Sequence, residues 1–191
     1  TPTIGGVGLL KDFQNSATLA FKSSGEAIVM LGDTRGWLGQ SAYLATIFGR
    51  EEGAPPPVDL AAEKRTGDLV RDLIAKDRVT AVHDCSDGGL LVAIAEMAMA
   101  SGIGATLELS PGGIAPHAFW FGEYQARYVL TAPALALPEI EAAAKAAGVS
   151  VMRLGLTGGE QLILPSERPI SVAELKKRHE SWLPDYMAAK N

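Results

Sequence analysis

The chain predicts an α/β fold, a single layered domain in which a mixed β-sheet is covered by helices, and three observations predict it. Ala27-Ile28-Val29-Met30-Leu31 is a continuous apolar run of the length and evenness of a strand buried on both faces. Segments with helical patterning and recognisable ends recur, from Asp59 to about Lys76 and from Leu90 to Ala100. Strands and helices interleave along all 191 residues, a length that suits one domain with one sizeable core.

Taken in order, Ile4 to Leu10 is an apolar run with three glycines and reads as a strand. Either another backbone or a ligand approaches it closely, or it is a plain glycine-rich edge. Thr18 to Lys22 can add a short strand before the turn Ser23-Ser24-Gly25 and the buried run that follows. Gly32-Asp33-Thr34-Arg35-Gly36 is a strand-to-helix turn, and Gln40 to Phe48 is helical. The turn lacks the Lys-Ser/Thr ending of a P-loop and the spacing of a dinucleotide fingerprint. Pro55-Pro56-Pro57 stiffens the connection to the next helix, which Asp59 caps and whose inner face carries Leu69, Val70, Leu73 and Ile74. Its Glu63, Lys64, Arg65, Arg71 and Asp72 form the solvated face.

Val79 to Val82 is a short buried strand, and the helix after it places Met97 and Met99 in the core. Ala105 to Leu109 alternates as a strand, Ser110 to Pro116 is a loop, and Pro116 to Phe121 makes one or two helical turns. A polar cluster then opens into a strand through Tyr128-Val129-Leu130. Pro138 starts and Gly148 stops an alanine-rich helix over Glu139 to Ala147. Val149 to Leu156 and Gln161 to Leu164 are strands joined by Thr157-Gly158-Gly159-Glu160, a sequence suited to a tight hairpin. Ser171-Val172-Ala173-Glu174 is a capping box for a last helix that Pro184 ends.

Composition narrows the function classes. A formal charge of −5 gives no electrostatic footprint for nucleic acid. No window approaches the ~18 uninterrupted apolar residues of a membrane span. The single cysteine excludes an internal disulfide and points to a reducing cytoplasm. The opening Thr1-Pro2-Thr3-Ile4 has no basic leader and begins as if inside a strand, so a piece of a longer chain is expected.

Chemistry concentrates where the strand before His83-Asp84-Cys85-Ser86-Asp87-Gly88-Gly89-Leu90 ends and a helix begins. In α/β proteins ligands bind at such strand ends, where a helix N-terminus offers free N–H groups to an anion. Asp84 and Asp87, three apart, are hard oxygen donors suited to magnesium, which keeps waters and borrows phosphate oxygens. Asp87 or Ser86 equally serves as the helix N-cap. Gly88 and Gly89 cost about 1 kcal/mol each in a first turn, so either a packed segment or a ligand must come close there. His83 is an orienting or hydrogen-bonded core residue in preference to a metal ligand, and Cys85 a small buried one. Glu123, Gln125 and Arg127 alternate and are expected on one face of the incoming strand. There they bind a polar ligand, or Glu123 and Arg127 pair with each other.

These stretches together resemble one family. His83 to Leu90, Phe121-Gly122-Glu123-Tyr124-Gln125-Ala126-Arg127-Tyr128, the opening Thr1 to Gly8 and the Gly32-Asp33-Thr34 turn are similar, in order, to the synthetase subunit of phosphoribosylformylglycinamidine synthase. The likeness is strongest to the last domain of its second half, an AIR synthase-related C-terminal domain, and covers residues 1–191. It implies a purine-biosynthesis ligase that uses ATP, magnesium and glutamine-derived ammonia to turn formylglycinamide ribonucleotide into its amidine. It implies upstream domains and a glutaminase subunit or domain as partners, and a fragment that does not turn over alone. By position, Asp84 matches a magnesium ligand of the first half. Ser86, Asp87, Gly88, Gly89, Glu123, Gln125 and Arg127 then become substrate- or phosphate-binding candidates, with no catalytic residue among them. The alternatives are a non-catalytic structural module from a degenerate half, and a domain of an enzyme like aminoimidazole ribonucleotide synthetase.

Overall fold

The computed structural model describes residues 5–10, 12–108 and 112–189. Strand β1 is Ala27–Leu31, and all five of its side chains are buried. The reason is a sheet covered on both faces. Ile28 and Met30 point into one core, Ala27, Val29 and Leu31 into the other. A strand in that position has no polar face to show, which explains its unbroken apolar run.

The remaining strands are β2 (Ala81–Asp84), β3 (Ala105–Leu107), β4 (Tyr128–Ala132), β5 (Val151–Thr157), β6 (Gln161–Ile163) and β7 (Ile170–Ser171). They lie in the order β2-β4-β1-β5-β3-β6-β7. Every neighbouring pair is antiparallel except β3 with β6, so the sheet is mixed as expected. The helices are α1 (Ala42–Phe48), α2 (Leu60–Ala75), α3 (Gly89–Ser101), α4 (Pro116–Phe121), α5 (Leu137–Ala147) and α6 (Val172–Ala188). Helices α2 and α5 pack together on one face, through Leu69, Val70, Leu73, Ile140 and Ala144. On the other face α3 packs with α4 and α6, and Leu90, Ile94 and Met97 are fully buried. Among the described residues no helix is long and apolar enough to cross a membrane.

Local signals hold well. Asp59 caps α2, its carboxylate accepting from the Ala62 N–H at 2.9 Å. Ser41 caps α1 and Ser171 caps α6 through the N–H groups three residues on. Gly148 ends α5 in the left-handed conformation, although that helix begins at Leu137, one residue before the proline, after a 3-10 turn over Ala134–Ala136.

Non-local expectations fare worse. Residues 5–10 form no strand and are exposed. Ile4 lies outside the described residues. Thr18 to Lys22 makes only a bridge from Thr18 to Ala81. Strand β2 begins later than Val79 and runs to Asp84, which pairs with Tyr128, so His83 and Asp84 belong to the sheet. Strands β5 and β6 are not a hairpin, because β3 lies between them. The Gly158-Gly159 turn instead wraps round Gly104, exchanging two backbone bonds of 2.8 Å with it. Pro184 does not end α6, which continues to Ala188. Glu180, whose carbonyl a proline leaves unbonded, is exposed, so water can take that bond. Met99 is half-buried, not core. Of the strand expected over Ala105 to Leu109, Leu109 lies outside the described residues, as do Ser110 and Pro111 of the loop after it.

Candidate functional site

The site forms where β2 gives way to α3. From Asp84 the chain turns through Cys85, whose N–H donates to the Arg127 carbonyl at 2.9 Å, and Ser86, whose carbonyl accepts from Gly89 at 3.0 Å. Neither Ser86 nor Asp87 caps the helix. Its N-cap is Gly88 at φ 79°, which makes no side-chain capping bond. The cap comes from a residue 35 positions away. Glu123 Oε1 accepts the Gly88 N–H at 2.8 Å, and the same oxygen accepts the N–H of Ala42, first residue of α1, at 2.7 Å. One carboxylate therefore starts two helices, with hydrogen bonds strengthened by its charge and by both helix dipoles.

The glycine pair is explained by packing. Gly89 has φ 74°, and a Cβ there would stand 2.7 Å from the Gly122 carbonyl oxygen and 2.8 Å from the Phe121 carbonyl carbon. The end of α4 presses on the start of α3 at this point, so no ligand is needed to account for Gly88-Gly89.

Glu123, Gln125 and Arg127 do not share a strand face. Strand β4 begins only at Tyr128, and the loop before it passes through Ala126 in the left-handed region at φ 58°, which breaks the alternation. Arg127 is 2% exposed and has all three of its nitrogens engaged. Nε donates to the Tyr124 carbonyl at 2.9 Å, one terminal nitrogen to Thr34 Oγ1 at 3.1 Å, the other to the Gly122 carbonyl at 2.5 Å. Burial lowers its pKa, opposed by Cys85 and Glu123. It clamps its own loop to the Thr34 turn instead of offering a free fork to phosphate, and it makes no ion pair with Glu123 within 4.0 Å.

A cavity of about 330 Å³ opens beside these elements, lined among others by Glu63, Asp84, Ser86, Asp87, Glu123, Gln125 and Tyr128. Two of its four carboxylates accept backbone N–H groups: Glu123 as described, and Glu63, whose Oε1 accepts the Ala126 N–H at 2.8 Å. Asp84 and Asp87 are exposed, and among the described residues neither accepts a backbone N–H. Asp84 Oδ1 stands 3.1 Å from Nδ1 of His83, whose Nε2 is 3.0 Å from Glu96 Oε2. Burial pushes the Cys85 thiol up to about 11, which makes it a poor nucleophile. Burial also raises the Tyr128 phenol, helped by the charges of Glu63 and Asp84.

Among the described residues no three His, Cys, Asp or Glu side chains gather to enclose a metal. Two exposed carboxylates and the Ser86 hydroxyl do fit magnesium, a hard cation that keeps waters and fills its sphere from a ligand. A second cavity of about 250 Å³ lies across the Tyr124–Ala126 loop, with Arg35 over the Tyr124 ring at 5.3 Å. Sequence reasoning missed Glu63, assigned to the solvated face, and Glu96, whose signal was being the lone charge on an apolar helix.

Fold and site define a class: a mixed-sheet α/β domain with a polar, carboxylate-lined cavity where an edge strand meets a helix start. The chain belongs to the family "AIR synthase related protein, C-terminal domain", whose model matches residues 23–163. It is 62% identical over 189 residues to phosphoribosylformylglycinamidine synthase subunit PurL of Azorhizobium caulinodans, covering 99% of this chain and 26% of that protein. It is 61% identical over 191 residues to the subunit of the same name from Rhodopseudomonas palustris, covering 100% and 26%. The chain thus spans about a quarter of the length of these relatives. Among solved structures, Thermotoga maritima PurL complexed with FGAR superposes with a TM-score of 0.72 at 17% identity, over 86% of this chain and 30% of that one. Escherichia coli HypE, a hydrogenase maturation protein, gives 0.55 at 19% identity, over 82% and 52%. At such identities the likeness is one of fold.

Two expectations follow. Glu123→Ala removes the acceptor for two helix-start amides and lowers unfolding free energy by about 2 kcal/mol, read from urea denaturation, with Glu123→Gln losing less. The Cys85 thiol ionises near 9.0 when free and near 11 when folded. The unfolded chain alone gains from ionisation between these values, so any stability gap separating wild type from Cys85→Ala moves against wild type as pH climbs from about 9 to about 11. Denaturation of both at pH 8 and pH 10.5 checks the sign.

Proposed function

We propose that this chain is the C-terminal part of a phosphoribosylformylglycinamidine synthase synthetase subunit, and that its strand-end cavity takes the phosphates of a nucleotide or ribonucleotide together with magnesium. The observation that carries the reading is the pair of exposed carboxylates, Asp84 and Asp87, neither accepting a backbone N–H among the described residues, beside the Ser86 hydroxyl in that cavity. The identity of 62% to a PurL subunit supports it from outside. One relative of the fold is described as PurL complexed with ATP, another as PurL complexed with FGAR.

In this reading Asp84 and Asp87 hold the cation, and Ser86 donates to a phosphate oxygen. Magnesium, when bound, neutralises phosphate charge. Glu123 fixes the cavity wall by pinning α1 and α3, and Arg127 holds the Gly122–Arg127 loop in place. Gln125 lines both cavities and can meet the polar part of a ligand between them. The reaction of the whole enzyme, ATP-driven conversion of formylglycinamide ribonucleotide with glutamine-derived ammonia to the amidine, needs the domains that relatives carry beyond this quarter of their length. Those domains and a glutaminase subunit are the partners, in the cytoplasm.

One observation favours a second reading, a structural module that binds nothing. The Gly88 amide, which an anion would seek at the start of α3, is already taken by Glu123. Titration of the intact chain with magnesium ADP, following the amide signals of Ser86 to Gly89, separates the two. Saturable shifts at submillimolar ligand, lost with EDTA and in Asp84→Asn, are expected. No response at millimolar ligand leaves the module reading.

A further inference from the structure

Glu96 is the one charged residue on α3, which otherwise carries apolar residues, a glycine and a terminal serine. Its side chain is 40% exposed, so the carboxylate keeps contact with water while one oxygen turns toward the sheet. Its Oε2 lies 3.0 Å from Nε2 of His83, and the opposite nitrogen of that ring, Nδ1, lies 3.1 Å from Oδ1 of Asp84. The His83 side chain is 16% exposed, while that of Asp84 is 60% exposed and borders the cavity. The imidazole is thus a rigid strut, gripped at its inner end by a helix and touching a cavity carboxylate with its outer end.

We propose that Glu96 and His83 are positioning residues for Asp84. The inference rests on the reading of Asp84 as a magnesium-holding carboxylate. His83 and Asp84 are consecutive in β2, so their side chains leave the strand in opposite directions, and nothing in strand geometry brings them together. The ring must be turned toward Asp84 and kept there. Glu96 does this by accepting from Nε2 on the α3 side, which sets the ring angle and brings Nδ1 to Oδ1, the two contacts being hydrogen bonds together in the ring that carries both protons. With Oδ1 engaged, the remaining carboxylate oxygen faces a cation in one orientation, and the ordering of an exposed side chain is complete before the cation arrives. Partners of this kind behind a metal ligand typically change affinity 10–100-fold when removed.

The test measures Mn2+ affinity of the intact chain from the electron paramagnetic resonance signal of the free ion, in wild type, Asp84→Asn, Glu96→Ala and Glu96→Gln. The expected result is strong weakening in Asp84→Asn and about tenfold weakening in Glu96→Ala. Glu96→Gln, whose amide oxygen still accepts from Nε2, recovers affinity to within about twofold of wild type, a rescue that loss of fold stability alone does not produce. Glu96→Leu, suited to the apolar helix, replaces Glu96→Ala if that variant does not fold. Wild-type affinity in Glu96→Ala or Glu96→Leu, with Asp84→Asn weakened, overturns the positioning role and leaves the metal reading intact. Unchanged affinity in Asp84→Asn, or no binding by wild type, overturns both.

Discussion

The structure depends on one oxygen atom, Oε1 of Glu123. It accepts the first free amides of α1 and α3, two helices that otherwise have no sequence connection and begin 47 positions apart, at Ala42 and Gly89. Helix α3 opens on a left-handed glycine that makes no side-chain capping bond, so its start is incomplete without an acceptor from elsewhere. One charged acceptor shared between two helix ends is worth about 2 kcal/mol in all, a good share of a domain's net stability. The glycine pair then follows. Glu123 reaches Gly88 from the loop just after α4, and the end of that helix lies so close to α3 that Gly89 has no room for a side chain.

That constraint also bears on the proposed ligand. The position an anion would take at the α3 N-terminus is filled by the protein's own carboxylate, and the buried Arg127 spends its donors on two carbonyls and the Thr34 hydroxyl. What faces the cavity exposed, and accepts no backbone N–H among the described residues, is acidic: Asp84 and Asp87. A bare phosphate meets repulsion there, whereas a phosphate accompanied by a divalent cation meets the donors such a cation prefers. The arrangement favours a metal–phosphate ligand over a free anion.

Legibility from sequence divides along chain distance. Helix α2 was readable because Asp59 caps it three residues away, and α4 matched from Pro116 to Phe121. Strand β1 was readable because burial on both faces leaves an apolar run. The hairpin between β5 and β6 failed because β3, more than forty residues earlier, inserts between them. The shared face for Glu123, Gln125 and Arg127 failed because Ala126 turns left-handed against Gly32, a contact no local pattern reveals. Asp87 looked like a cap by every local rule, yet Glu123 does that work from the loop after α4. Conversely, Cys85 as a buried residue and His83 as a hydrogen-bonded one were correct, since each needed only the absence of a partner at metal-site or nucleophile spacing.

Hydrogen exchange of two amides, Ala42 and Gly88, tests the central claim most directly. With one carboxylate oxygen holding both, the two are protected in wild type, and both exchange at least roughly tenfold faster in Glu123→Ala. Acceleration of one amide alone, or of neither, would contradict the account.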